Sequence, residues 1–73
     1  MDSNELGHII QQRREALSLK QEDLAEMTGI TSKTIYLIES GKGNPSINTL
    51  QKILEVLGLE IFVQIRKVEE GNS

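Results

Sequence analysis

Apolar residues recur every three or four positions through most of the chain and every second position near its end. A helix repeats its faces at the first period and a strand at the second, so the switch separates two kinds of element. Leu6, Ile9, Ile10 and Leu17, with Arg13 or Arg14 between them, hold helical spacing and predict a first helix from about Asn4 to Leu17. His8 falls beside its apolar face and reads as a boundary residue. A second helix is expected from Gln21 to Thr28, burying Leu24 and Ala25, with Gly29 after it to take the left-handed conformation that closes a helix. Thr31 stands where an N-cap belongs for a third helix, Ser32 to about Ser40, which turns Ile35 and Ile38 inward. The run ESGKGNPS breaks that helix. Ser46 then caps a fourth, whose stripe of Ile47, Leu50, Ile53, Leu54 and Leu57 makes it the backbone of the core, and Gly58 stops it.

From Leu59 to Arg66 the period is two: Leu59, Ile61, Val63 and Ile65 alternate with Glu60, Phe62, Gln64 and Arg66, and strand formers are enriched. This predicts a strand in place of a fifth helix. Val68 extends it, and the polar run EEGNS is expected to be a disordered tail. A lone strand exposes two unpaired edges and is not stable by itself. No other segment has the strand period, so the expected partner is the same segment of a second copy across a two-fold axis. Leu59, Ile61, Val63 and Ile65 should then face the fourth helix, with Phe62 more exposed on the other side; these five are the expected dimerisation residues. The organisation is a helical domain over 1–58, a dimerisation strand over 59–68 and a tail over 69–73.

Composition narrows the chemistry. A chain of 73 residues buries little surface per residue, and many chains of this size recruit a partner, a metal or a disulfide. There is no cysteine and one histidine, so disulfides and thiolate zinc sites are excluded and a histidine cluster cannot form. Oligomerisation is left as the expected staple. No apolar run approaches the roughly 20 residues of a membrane span, and no charged-then-apolar leader precedes the first helix, so a soluble cytoplasmic protein without membrane contact is expected. The carboxylates are many, but none is paired with a nucleophile or a metal set. No enzyme, metal or cofactor is expected.

The net charge of −3 argues against nucleic acid, but its distribution matters more. Asp2, Glu5, Glu15, Glu22, Asp23, Glu26, Glu69 and Glu70 lie toward the ends or on the first two helices, whereas Lys33, Lys42 and Lys52 fall in the middle with Glu39 opposing them. The centre is locally basic. There, a helix, a glycine-containing turn and a second capped helix form the arrangement that lets the second helix enter the DNA major groove. Structural helical hairpins share that spacing. Gln21, Leu24-Ala25, Gly29-Ile30, Ile35, Ile38-Glu39, Gly41 and Pro45-Ser46 together go further, and over roughly Leu6 to Gly58 the chain resembles the Cro/phage-repressor (XRE-type) helix-turn-helix family.

The resemblance implies a mainly α, four-helix repressor-like domain whose third helix reads bases, whose second crosses the DNA backbone, and which binds paired half-sites as a dimer. By position, Ser32, Lys33 and Leu37 fall where the family touches base edges, with Tyr36 beside them. Lys33 suits guanine O6 and N7, Ser32 donates or accepts, and Leu37 offers an apolar surface to a thymine methyl. Phosphate contacts are expected from Gln21, from Thr31 or Thr34, and from the loop residues Ser40, Lys42 and Asn44. Arg14 and Glu39 match an ion pair across the core, which turns Glu39 away from DNA. Lys20 stands where the family often has a serine or threonine cap; lysine cannot accept a hydrogen bond, so the second helix starts without that cap. The terminal strand departs from the usual fifth helix and resembles the HipB-type antitoxin repressors, whose C-terminal strands pair between subunits. The leading expectation is a homodimeric, sequence-specific DNA-binding repressor acting on a palindromic operator, within which the HipB likeness adds an autoregulating antitoxin with a toxin-kinase partner. The alternative is a protein-interaction module that keeps the fold and holds a partner protein, with DNA secondary.

Overall fold

A computed structural model describes residues 1–66. It contains four helices, α1 (Ser3–Ala16), α2 (Gln21–Thr28), α3 (Ser32–Glu39) and α4 (Ile47–Leu57). Each begins where a side chain or carboxylate can satisfy the free amides of a first turn. Asp2 accepts from the Glu5 amide at 2.8 Å while Glu5 accepts from the Asp2 amide at 3.0 Å, closing a capping box one residue before the expected start of α1. Thr31 Oγ1 accepts from the Thr34 amide at 3.2 Å and Ser46 Oγ from the Thr49 amide at 3.1 Å, so α3 and α4 start on hydroxyl caps. Lys20 supplies no such acceptor, and α2 is started from within: the Asp23 carboxylate reaches back to the Lys20 amide at 2.8 Å. Gly29 and Gly58, at φ 76 and 72, close α2 and α4 in the left-handed region.

Ile10, Leu24, Ile35, Ile38, Leu50, Ile53, Leu54 and Leu57 form one buried cluster. Half of it comes from α4. At about 1.5–3 kcal/mol for each fully buried aliphatic side chain, α4 is the element the domain can least lose. It packs on α1 and α2, while α3 packs on the same two helices from another side. Ile9, Leu17 and Ile47, expected on the apolar faces, stand at their margins and are 39, 41 and 60% exposed. Ile47 is the first residue of its helix, and Leu17 has left the end of its own. The crossing of α1 over the end of α3 is made at Gly7: a Cβ there would stand 2.6 Å from the Glu39 carbonyl oxygen and closer still to that of Ile38.

The expected strand is not formed among the described residues. Residues 59–66 carry no regular secondary structure. Leu59 packs against the core cluster, but Ile61, Val63 and Ile65 are 44, 88 and 97% exposed, so in the single chain the alternating face does not lie on α4. The physical reason is the missing ladder: an isolated extended segment has no neighbour to take its amides and carbonyls and no second layer to hold its side chains. The chain turns at Gly58, where the Leu59 amide donates to the Leu54 carbonyl at 2.8 Å, and the following arm leaves the body. The expected continuation at Lys67 and Val68 and the polar tail at 69–73 lie outside the described residues.

Candidate nucleic-acid interface

Lys33, Tyr36 and Leu37 of α3, with Ser40 at its C-cap, follow the three-and-four spacing of one helix face, opposite the buried Ile35 and Ile38. Ser32 and Lys33 are exposed, Tyr36 is 52% exposed, and Leu37 and Thr34 are half-buried. Among the described residues no ion pair engages Lys33. Thr31 and Thr34 are exposed or half-buried but joined: besides its capping bond, the Thr31 hydroxyl donates to Thr34 Oγ1 at 2.9 Å. Ser40 is half-buried and its hydroxyl proton is directed at the Leu37 carbonyl, 3.0 Å away. Lys42 and Asn44 project from the loop after α3, whose amides at Lys42 and Gly43 both return to the Leu37 carbonyl at 2.9 and 3.1 Å. Lys42 therefore stands by the negative end of the α3 dipole, which favours a cation there with or without DNA.

Behind this surface lies a buried polar cluster. Arg14 Nε donates to Glu39 Oε2 at 2.7 Å and Arg14 Nη2 to Glu39 Oε1 at 2.9 Å, a two-pronged pair with both residues 7% exposed. Arg14 Nη1 adds a bond to the Leu19 carbonyl at 2.7 Å, tying down the α1–α2 turn. The hydrogen bonding and charge of Glu39 hold the Arg14 pKa above its ordinary value, against the opposing push of burial. Gln21, the first residue of α2, is half-buried and joins this cluster by donating from Nε2 to Glu39 Oε1 at 3.0 Å. Gln11, Gln21, Tyr36, Glu39 and Ser40 together line a shallow depression of about 150 Å³ between α1, α2 and α3.

The structure thus brings Gln21, Glu39 and Arg14 together, and gathers Ser32, Lys33, Tyr36 and Leu37 on one helix, with Lys42 and Asn44 in the loop that follows it. Leu59, Ile61, Phe62, Val63 and Ile65 lie apart from them on the arm. Sequence reasoning missed Arg13, whose Nε donates to the Leu57 carbonyl at 2.8 Å and so caps the end of α4 where the arm begins. Its only signal was an arginine on a helix face that the pattern could assign to either Arg13 or Arg14. Among the described residues no group of three or more His, Cys, Asp or Glu could hold a metal ion, and no helix is long and apolar enough to cross a membrane.

Residues 10–64 match the HTH_3 helix-turn-helix family. The chain belongs to this XRE-type family. An uncharacterised HTH-type transcriptional regulator of Methanothermobacter thermautotrophicus is 37% identical over 65 residues, covering 89% of this chain and 94% of that protein. The HTH-type transcriptional regulator PuuR of Escherichia coli is 39% identical over 67 residues, but these are 88% of this chain and 36% of PuuR. Among solved structures, a chain of the HipA-HipB-O2-O3 complex superposes with a TM-score of 0.80 at 27% identity, covering 92% of this chain and 94% of that one. Membership in the helix-turn-helix family gives α2 and α3 their names as the motif's two helices. The bent path between them is held by Thr28, whose hydroxyl donates to the Leu24 carbonyl at 2.7 Å and accepts from the Ile30 amide at 3.2 Å.

Proposed function

We propose that this chain is a transcriptional repressor that binds a palindromic DNA operator as a homodimer. The observation that carries this is the outer face of α3: an exposed serine, lysine and tyrosine on a helix whose other side is locked into the core, with its neighbouring carboxylate turned inward and neutralised. Ser32 and Lys33 meet base edges in the major groove, with Leu37 and Tyr36 flanking them. Gln21, Thr31, Thr34, Ser40, Lys42 and Asn44 hold the backbone on either side. The two α3 helices of a dimer must stand about 34 Å apart to enter successive major grooves on one face of the duplex.

The arm supplies the dimer. Phe62, Val63 and Ile65 are 76, 88 and 97% exposed, and an apolar side chain taken from water contributes about 1.5–3 kcal/mol. A groove of about 340 Å³ between α4 and the arm, lined by Leu54, Leu59 and Ile61 with Gln51, Glu55 and Glu60, is open beside them. Antiparallel pairing of Leu59 to Lys67 with the same segment of a second copy, with the axis near Phe62 or Val63, satisfies the backbone groups of the facing edge and brings these side chains against their mates. Val63→Pro removes a ladder donor at that axis. Sedimentation of this variant should show a monomer, and a persisting dimer with unchanged DNA affinity would defeat the arm as the interface.

Selection from a pool of random duplexes tests the main reading. An enriched inverted repeat with half-site centres one turn apart is expected. If the pool yields no enriched sequence, and binding only weakens uniformly with salt, the repressor reading fails. A second reading would then stand: an interaction module for a protein partner, which the likeness to a chain of the HipA-HipB-O2-O3 complex and the exposed apolar arm both favour. The antitoxin role belongs with either, and its test is co-purification of a kinase-like toxin with the tagged chain.

A further inference from the structure

We infer that Glu39, which lies too deep to reach DNA, is the positioning residue that decides which atom of Gln21 faces the DNA backbone. This rests on the proposed DNA-binding function. The Glu39 side chain is 3% exposed, and its two oxygens accept three hydrogen bonds: Arg14 Nε at 2.7 Å, Arg14 Nη2 at 2.9 Å and Gln21 Nε2 at 3.0 Å. An ionised carboxylate only accepts, so the atom of the Gln21 amide that meets it has to be the nitrogen. One N–H is then committed to Glu39, and the second remains for a further acceptor. A glutamine without this anchor also populates orientations with its carbonyl outward, which an acceptor-only phosphate cannot bond, and it loses rotamer freedom when it binds. Here the choice is made and the freedom already lost on folding. Arg14 completes the device: its charge cancels that of Glu39, so a carboxylate stands directly behind the phosphate-binding amide without repelling the phosphate.

The cluster therefore does more than hold α1 to α3. Its carboxylate reads out at the start of α2, 18 positions away in sequence, as a fixed hydrogen-bond donor.

Three variants separate this role from a purely structural one: Gln21→Ala, the paired change Arg14→Leu with Glu39→Leu, and all three together. Each is first melted in urea, and then titrated against the selected operator and an unrelated duplex. Gln21→Ala should weaken both roughly tenfold, the worth of one hydrogen bond to a charged group. Because glutamine carries no charge, the slope of affinity against salt should stay as in the wild type. The paired change should show part of that loss, and adding Gln21→Ala to it should cost less than the same change costs in the wild type. A methylphosphonate walked along the operator should reproduce the loss at one backbone position in the wild type and have less effect there in the Gln21→Ala variants. If Gln21→Ala costs the same factor in both backgrounds, Glu39 does not position it and the inference falls. Side-chain 15N relaxation of Gln21 in the free wild-type protein decides the matter if the paired variant does not fold: a rigid amide is expected, and a freely mobile one overturns the inference. A wild type that selects no duplex overturns the function itself, and is seen in the first titration before any variant is compared.

Discussion

Replacing Glu39 by alanine leaves the Arg14 guanidinium in the core with its principal partner gone. Two short charge-assisted bonds disappear, at 2.7 and 2.9 Å, and Gln21 Nε2 loses its acceptor. What Arg14 keeps is the Leu19 carbonyl at 2.7 Å and the exposed Glu15 carboxylate at 4.0 Å, and the second is worth little in water. Breaking a buried pair by removing one member costs about 3–5 kcal/mol. A 73-residue domain has about 4–11 kcal/mol in all, so the single change takes between about a quarter and the whole of the stability. With a urea m-value of about 1 kcal/mol/M for so small a chain, the midpoint should fall by about 3 M or more. Arg14→Ala should cost a similar amount, since it strands the carboxylate. The pair changed together to leucine should recover much of the loss, because two apolar side chains of adequate volume need no partners. The pH dependence has a definite sign. Arg14 has its pKa raised on folding, so its contribution is present throughout the range below its unfolded value and is lost only as pH rises through the raised one. The part of the Glu39→Ala cost that comes from Arg14 should therefore be the same at pH 7 and pH 9. Circular dichroism melts of the singles and the pair decide: strictly additive losses would refute the coupling.

Lys33→Ala should weaken operator binding by about 1–3 kcal/mol and relax the preference at one base pair, whereas Lys42→Ala should weaken all sequences alike and reduce the salt slope by about 1. Equal loss on operator and random duplexes for both variants would remove Lys33 from base reading. Gly7→Ala drives a methyl into the Ile38 and Glu39 carbonyls and should destabilise by about 1–3 kcal/mol in urea, and an unchanged midpoint would mean that α1 does not cross α3 so closely. Ser18 sits at φ 60, a conformation that costs an L-residue about 1–2 kcal/mol; Ser18→Gly should raise stability by about 0.5–1 kcal/mol once the extra freedom of glycine in the unfolded chain is set against the relief, and a lowered midpoint would contradict that strain.

The helices were legible because their signals are local. Thr31, Ser46, Gly29 and Gly58 each act within a turn of their own position, and the stripe on α4 needs only its period. The start of α1 slipped by one residue because Asp2 and Glu5 cap each other ahead of the apolar run, a pattern present in the sequence but outside the stripe that was followed. Gly7 was invisible for a different reason. A periodicity counts side chains, and what Gly7 provides is the lack of one at a crossing where it meets Ile38, 31 positions along the chain. The family resemblance puts Gln21 at a phosphate, but its bond to Glu39 depends on how α2 meets the end of α3, which no local rule encodes. The arm shows the limit from the other side. Its period of two is plain from Leu59 to Ile65, but a strand is a property of a pair, and among the described residues no second segment pairs with it.

A net charge of −3 is a poor guide to what an approaching phosphate meets. Several of the carboxylates that set it are engaged by the protein's own groups. Asp2 and Glu5 hold the first turn of α1, Asp23 holds that of α2, and Glu39 is matched by Arg14 in the core. Carboxylates at helix N-termini face the positive ends of those dipoles, so their fields are partly cancelled at a distance. Glu22 and Glu26 remain exposed on α2, while α3 presents Lys33 and the loop beyond it Lys42. At physiological ionic strength charges further off than about 8 Å are largely screened, so the local arrangement outweighs the total. The acidic balance is then compatible with duplex binding for the same reason that the core is stable: one carboxylate, that of Glu39, is turned inward against an arginine instead of outward beside the reading helix.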